Sequence, residues 1–533
     1  MNKKIFLLML SVFLGLTLIA CKKDPEPEPD PTVEVTSIEI SGSASGYVGD
    51  DVQLNAAVLP LNAGDRTVTW ESLNEDLADV STSGTVTLKA VGVVTIKATA
   101  GAFSDEHTIT IEDPGPDGRP TEIVIMHGAP QEVDPRRGDF SGREKAARIA
   151  LHEQVERELN VKIVYQAYPA DAPWGPARQE SIINWHIAGQ KRADIYWLTT
   201  IWLSEIAQSN AIVPIDQWLS THGKNIHDTA LDLTYYSGQT WGFAPEPFRG
   251  ERGIFINMAL LREAGIEDPV DLWNDGEWTW PKFTEWAESA QRALSSDQYV
   301  LGGQPSLYAE SLIPLNGGSI VDSMLEQVFF AAPPAMAVYD LLEDLHGRGL
   351  FEPGGSYDTG SDAWRNGNVL VHAGQLWFVR ADNRWGEFEF VQNGDIGVVP
   401  FPLPDGKTVN DYKIPLGGEA VYTIANNPDD KAKEELAFEV WNRLQLWEDE
   451  ETLINSFEDR LGAIFDDQRH VDVFLEIYDR VYFDIHEQLG IAAFGTDAWQ
   501  VNVNSGVVAK TTRTRIQAIL PIYESALSDY LGA

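Results

Sequence analysis

The stretch Arg365 to Pro402, RNGNVLVHAGQLWFVRADNRWGEFEFVQNGDIGVVPFP, holds the residues best suited to recognition chemistry. Gly374-x-x-Trp377 sets a large flat ring shortly after a glycine, and the strand-like run Ile396 to Pro400 leaves through Pro400-Phe401-Pro402. An indole offers an apolar face for stacking and one N–H donor at its edge. Beside a proline-bracketed crossing strand, such a ring reads as a ligand platform next to a hinge.

Signals for catalysis are poor by comparison. His152-Glu153 and His486-Glu487 each begin like a zinc-protease helix, but Glu156 and Gly490 stand where the second histidine is required. No phosphate-binding Walker loop, dinucleotide glycine pattern or Gly-x-Ser-x-Gly elbow occurs. Carboxylate pairs at glycosidase separation arise by chance in so acidic a chain and define no reaction. No cofactor or metal is expected.

The elements that position these residues follow from the chain's organisation. Its 533 residues exceed one ordinary core, and 43% hydrophobic content supports globular packing in several domains. With 81 acidic residues against 39 basic, the net charge of −42 argues against nucleic acid as a partner, because like charges repel. Lys3 and Lys4 precede an apolar run, Ile5 to Ala20, too short for a comfortable membrane span, and this reads as an export signal. Leu18-Ile19-Ala20-Cys21 looks like a lipobox, which predicts residues 1–21 as a lipoprotein leader ending at the lipidated Cys21. Lipid chains on Cys21 would hold the protein to a bilayer, at roughly 0.8 kcal/mol per buried methylene. Cys21 is the only cysteine, so no intrachain disulfide is available.

Residues 22–32, KKDPEPEPDPT, alternate proline with charge and favour an extended tether. Over 33–113 the texture is all-β. The alternation predicts strands at Ile38–Ile40, Val52–Ala56, Thr67–Trp70, Gly84–Leu88 and Val94–Ala98, a small sandwich with Trp70 in its core. Residues 114–120 are a turn-rich linker. Beyond it, strands Glu122–Met126, Val161–Tyr165 and Ala193–Leu198 alternate with helix-length segments, as in a doubly wound α/β sheet. Ligands of such sheets sit at the carboxyl ends of the strands, which places His127, Tyr168, Trp174, Thr199 and Trp202 near a cleft mouth. Thr279 caps a helix whose face Phe283, Trp286, Ala287, Ala290 and Leu294 is apolar, and Ala437, Val440, Trp441 and Leu444 form a similar stripe.

Thr36-Ser-Ile-Glu-Ile40, Val48-Gly49-Asp50, Val68-Thr-Trp70-Glu-Ser72 and Gly92-Val-Val-Thr-Ile96 together resemble the bacterial Ig-like group 2 domain. Over 121–533 an ordered series resembles the family 1 extracellular solute-binding proteins of ABC importers. It runs through Ala193-Asp-Ile-Tyr, Tyr236-Ser-Gly-Gln-Thr-Trp241-Gly-Phe-Ala-Pro245, Ile254-Phe-Ile-Asn257 to Gly265, Trp278-Thr-Trp-Pro-Lys-Phe283, Leu315-Asn-Gly-Gly and Gly417-Gly418-Glu419.

The resemblance implies a type II periplasmic-binding-protein-like fold, two α/β lobes closing on ligand, with crossings near 244–249 and 398–402. It further implies a lipid-anchored receptor outside the cytoplasmic membrane that delivers a mono- or oligosaccharide to importer permease subunits, acting as a monomer and not as an enzyme. Sugars need aromatic platforms plus acid, amide and arginine groups at fixed angles. Trp377 and Trp499 match positions where family members place stacking tryptophans, and Trp202, Trp174 and Trp241 are further platform candidates. Glu246, Arg249, Glu251 and Arg252 follow the first crossing, with Glu419 and Gln500 as later polar candidates. Val501 to Val503 stand where family members often carry an arginine. A surface carbohydrate-active enzyme, or an adhesin using the Ig-like domain, are the competing readings.

Overall fold

The computed structural model describes residues 33–113, 118, 120–322, 325–381 and 384–532. The leader, Cys21 and the tether lie outside the described residues. Two compact units divide the chain, Met1–Pro120 and Thr121–Ala533.

The first unit is a set of short strands around an aliphatic core. Gly92–Ala100 pairs antiparallel with Phe103–Glu112, a strand the sequence alternation did not mark, and Thr69–Ser72 pairs on its other edge. The single strand expected at Val52–Ala56 is two, Asp51–Gln53 and Asn55–Leu59, which pair in different sheets. The break falls at Leu54, whose N–H donates to the Gly84 carbonyl while its side chain, 1% exposed, fills the core. Val58, Val86, Val94, Ile96, Ile109 and Ile111 complete that centre, and Trp70 packs against it half-buried.

The second unit has two lobes. In the first, the strands run Val161–Ala167, Thr121–His127, Ile195–Thr199, Ala420–Ala425 and Ile212–Val213 across the sheet. The first three are parallel, as the βαβ texture predicts, whereas Ala420–Ala425 enters antiparallel between Ile195–Thr199 and Ile212–Val213 because it returns from the other lobe. In the second lobe the order is Tyr299–Gly302, Val369–Gln375, Arg252–Asn257 and Ile396–Val399. Every residue of Arg252–Asn257 is buried, as expected of a central strand covered on both faces.

The helix Trp280–Ala293 buries Phe283, Trp286, Ala287 and Ala290, the predicted stripe. Thr279 occupies its N-cap position without a side-chain capping bond; Pro281, with its preset φ, stands in the first turn. Trp441, 2% exposed, is core in the first lobe beside Phe438 and Phe243.

One expected crossing moves. At residues 398–402 the chain has not left the second lobe: Trp278 Nε1 donates to the Pro400 carbonyl at 2.8 Å and Phe401 is 2% exposed. The passage comes later, between Ile414–Leu416, paired with Val481–Phe483, and Ala420 in the first-lobe sheet. Proline there terminates sheet pairing inside one lobe and marks no hinge.

Candidate functional site

The first passage between lobes is Ala244 to Glu251, APEPFRGE, whose two prolines lack an N–H for sheet pairing. Glu251 ends it by holding the start of the helix Leu376–Arg380. Its carboxylate accepts the Trp377 N–H at 3.1 Å and the Arg380 guanidinium at 2.8 Å, while its carbonyl accepts the Leu376 N–H. An acidic group there satisfies orphan amides of the helix's first turn. Trp377 is thereby fixed, half-buried, with Nε1 donating to Gln375 Oε1 at 3.1 Å and its ring edge-on to Phe378. Gly374 serves a different neighbour: a Cβ there would collide with the Trp385 ring and stand 3.0 Å from Phe378.

The return passage is Gly417-Gly418-Glu419. A Cβ on Gly417 would stand 2.7 Å from a Glu487 oxygen in the second lobe, and one on Gly418 would collide with Ile201 in the first. Glycines leave the backbone room to thread between side chains of the two lobes, which a Cβ would push aside. Thr200 pins the thread: its N–H donates to the Glu419 carbonyl at 2.9 Å and its hydroxyl to the Gly417 carbonyl at 3.2 Å.

Carboxylates gather here. Arg252 is buried in a bidentate pair with Glu310, at 2.7 and 2.8 Å, and also donates to the Pro415 carbonyl. Burial, then repulsion from Glu251 and Glu487, outweighs the pull of Arg252 and pushes Glu419 up to about 7. Burial also raises Glu487 above the usual carboxylate range. Burial alone would lower His486, but the Asp484 carboxylate at 2.8 Å overrides it and holds the imidazole at about 9.

Between the passages lies a cavity of about 290 Å³, lined by Pro245, Glu246, Phe248, Arg249, Glu251, Glu419, Phe457 and Arg460 among others. An aromatic wall stands at the carboxyl ends of the first-lobe strands. Trp174, 51% exposed, lies with its ring 5.1 Å from Trp197 and 4.8 Å from the buried Trp202. His127 packs 4.4 Å from Trp197, and Tyr168 donates to the Trp197 carbonyl at 2.8 Å. Burial, with a smaller push from Arg178, brings His127 down to about 4, so the ring is neutral near pH 7. The Arg178 guanidinium stacks 4.0 Å from the Tyr168 ring.

The structure therefore brings Glu246, Arg249, Glu251 and Glu419 to one cavity, joins the Trp377 backbone to Glu251, and brings Trp174 and Trp202 to one wall. It takes three candidates elsewhere. Trp499 is 1% exposed in the second-lobe core, with Nε1 donating to Tyr339 and its N–H to Tyr523, so its ring has no free face. Trp241 packs half-buried, tethered to the Tyr236 carbonyl at 3.0 Å. Gln500 spends its amide on the Ala493 carbonyl.

Trp197, Arg178, Phe457, Arg460 and Glu487 are site residues that sequence reading passed over. Trp197 carried a signal, being on the predicted third strand near its carboxyl end. Phe457 and Arg460 are one turn apart on the helix Glu450–Gly462, and nothing local says that this turn faces the cavity.

No group of three or more His, Cys, Asp or Glu among the described residues is arranged to hold a metal ion. His152 is occupied structurally, between the Arg148 carbonyl and the Tyr165 hydroxyl. Among the described residues no helix is long and apolar enough to cross a membrane.

Two lobes, two strand-free passages and a polar cavity between those passages are the frame of a ligand-binding class of protein. The model of the bacterial extracellular solute-binding proteins matches residues 144–441, more than half of the chain, and the chain belongs to that family. The model of the bacterial Ig-like domain (group 2) matches residues 34–111.

Solved structures share the fold at low identity. The sugar-binding protein MalE from Xanthomonas citri aligns at 14% identity over 77% of this chain and 98% of its own, with a TM-score of 0.53. The cyclic alpha-maltosyl-1,6-maltose binding protein of Arthrobacter globiformis aligns at 14% identity over 77% and 100%, with a TM-score of 0.52. UgpB from Mycobacterium tuberculosis, solved with glycerophosphocholine, gives 15%, 77%, 98% and 0.51 in the same order. A 3-O-alpha-D-galactosyl-alpha-L-arabinofuranosidase of Bifidobacterium longum subsp. longum is 41% identical over 73 residues, which is 14% of this chain and 6% of that enzyme.

Proposed function

We propose that this protein is an extracellular receptor that captures a mono- or oligosaccharide in the inter-lobe cleft and delivers it to the permease subunits of an ABC importer. The observation that carries the carbohydrate reading is Trp174: an indole half open to solvent yet held by Trp197 and Trp202. A large apolar ring kept exposed and rigid is unfavourable for folding alone and well suited to the CH face of a sugar. Trp377, fixed by Glu251, offers a second ring, and Glu246, Glu251, Glu419 and Arg249 offer the polar contacts.

Ligand bridging both lobes would stabilise a closed form by its differential affinity for that form, which a permease can then recognise. The lipobox at Cys21 supports tethering to the bilayer through 22–32, with the Ig-like domain as a spacer. The receptor is taken to be a monomer that binds its ligand unchanged and needs no cofactor.

A thermal-shift panel of mono- and oligosaccharides tests the reading. A true ligand at a hundred times its dissociation constant should add about 2.7 kcal/mol of stability. No shift with any saccharide, against a clear shift with peptides or polyamines, would end the carbohydrate assignment.

A further inference from the structure

The hinge cavity is lined by two arginines that each hold a buried donor without a hydrogen-bond partner. Arg249 lies with its guanidinium 4.8 Å from the Tyr478 ring and 5.7 Å from Phe457. Arg460 lies 5.6 Å from the same Phe457 ring. Stacking uses the flat face of a guanidinium and leaves the N–H groups of its edge to find acceptors. Here Arg249 Nη2 and Arg460 Nε are both buried and have no hydrogen-bond partner.

The nearby carboxylates do not supply one. Arg249 reaches Glu450 only at 3.8 Å, Arg460 reaches Glu246 at 3.7 Å, and Arg143 reaches the same Glu246 at 3.6 Å. Glu450 is hydrogen-bonded to His227 at 3.1 Å, and Glu251 is committed to Arg380 and to the Trp377 N–H. Some guanidinium pairs elsewhere in this chain close as forks, as in Arg252–Glu310 at 2.7 and 2.8 Å and Arg137–Asp139 at 2.8 Å.

A chain with 81 acidic residues against 39 basic has no shortage of partners, so two arginines with unpartnered donors lining one cavity call for another source of acceptor. Burial of donors without acceptors is costly unless a ligand supplies them.

Building on the carbohydrate-receptor reading, we infer that the ligand is an anionic saccharide whose carboxylate or sulfate ester is held by Arg249 and Arg460. Either group presents two or three oxygens to a guanidinium edge and forms short charge-assisted hydrogen bonds. Burial, with the like charges of Arg143 and Arg380, lowers the Arg460 pKa even though Glu246 opposes it, and an incoming anion would relieve that strain. Glu419, pushed up to about 7, is partly protonated at neutral pH and so repels such a ligand less than an ordinary carboxylate. The aromatic wall repeats the theme: Arg178 is 6% exposed and its Nη1 is likewise buried without a partner.

The test is isothermal titration of the full chain with trigalacturonate, its methyl ester, galactotriose and a galactotriose sulfate. At low salt, trigalacturonate or the sulfate should bind at least about tenfold more tightly than both uncharged trimers, and the advantage should shrink as salt screens it. Whichever acid binds more tightly identifies the group. In Arg460→Gln the acid should lose about tenfold in affinity, with circular dichroism and the melting curve confirming the fold. Should that variant not fold, the salt dependence and the acid-against-ester ratio of the unaltered protein still decide.

Uncharged trimers binding as tightly as the acids would overturn the anionic assignment and leave the receptor reading standing. Binding of neutral gluco-oligosaccharides alone would do the same. Failure of every saccharide would overturn both.

Discussion

The Glu251 carboxylate accepts the backbone N–H of Trp377 at 3.1 Å, which couples the first passage between lobes to the helix Leu376–Arg380. One side chain thus ends the passage and starts the helix that carries Trp377. Removing its charge should loosen the first turn of the helix Leu376–Arg380. Glu251→Gln is expected to cost about 0.5–1 kcal/mol in urea unfolding and to weaken ligand binding as well. Trp377→Ala should abolish most binding while changing the unliganded melting point little. A variant that unfolds without ligand would make Trp377 a core residue.

Trp174 and Trp499 should separate cleanly. Trp499→Ala removes a ring that is 1% exposed together with its Nε1–H donation to Tyr339, so about 3–5 kcal/mol of stability should be lost. Trp174→Ala, at 51% exposure, should stay within about 0.5 kcal/mol of the unaltered protein yet lose affinity. Chemical denaturation and calorimetric titration of both variants decide, and equal destabilisation would refute the division.

Gly374→Ala tests the packing beneath the helix that carries Trp377. Its φ requires no glycine, but the new methyl would meet the rigid Trp385 and Phe378 rings. Overpacking of this kind costs about 1–3 kcal/mol, read as a lower unfolding midpoint. An unchanged midpoint would mean that the rings move aside freely.

Glu419 sets a pH dependence whose sign is opposite to that of a salt-bridged acid. Its pKa rises from an ordinary 4.5 to about 7 on folding, so the unfolded chain ionises it first. Its contribution is most favourable below 4.5, falls as pH rises from 4.5 to 7, and is constant above. Melting curves of the unaltered protein and Glu419→Gln should therefore diverge across that window, the unaltered protein losing ground as pH rises. A flat difference from pH 4.5 to 7 would show that Glu419 titrates normally.

Periodicity carried the sequence reading furthest where one element buries one face. The stripe of Trp280–Ala293 and the fully buried run Arg252–Asn257 are set by which side chains avoid water, and that is written locally. The ordered motifs located the family and its two lobes for the same reason. Trp174, Trp202, Glu246, Arg249, Glu251 and Glu419 were within reach because ligand sites fall at strand ends and inter-lobe passages.

Other features depend on which distant segments meet. Trp499 and Trp377 are both expected as stacking rings, yet one donates to Tyr339 inside the core and the other is held half-buried by Gln375 and Phe378. The later passage lies at 417–419 because only the fold shows Gly417 against Glu487 and Gly418 against Ile201. Phe457 and Arg460 come from a helix more than 200 residues beyond Arg249, and no spacing rule relates them. By itself, then, the sequence determined the two kinds of domain, the strand and helix faces, and the family. Tertiary structure alone decided which aromatic rings keep an open face and which arginines keep unused donors, because exposure and hydrogen-bond satisfaction belong to assembled neighbours and not to any one stretch of chain.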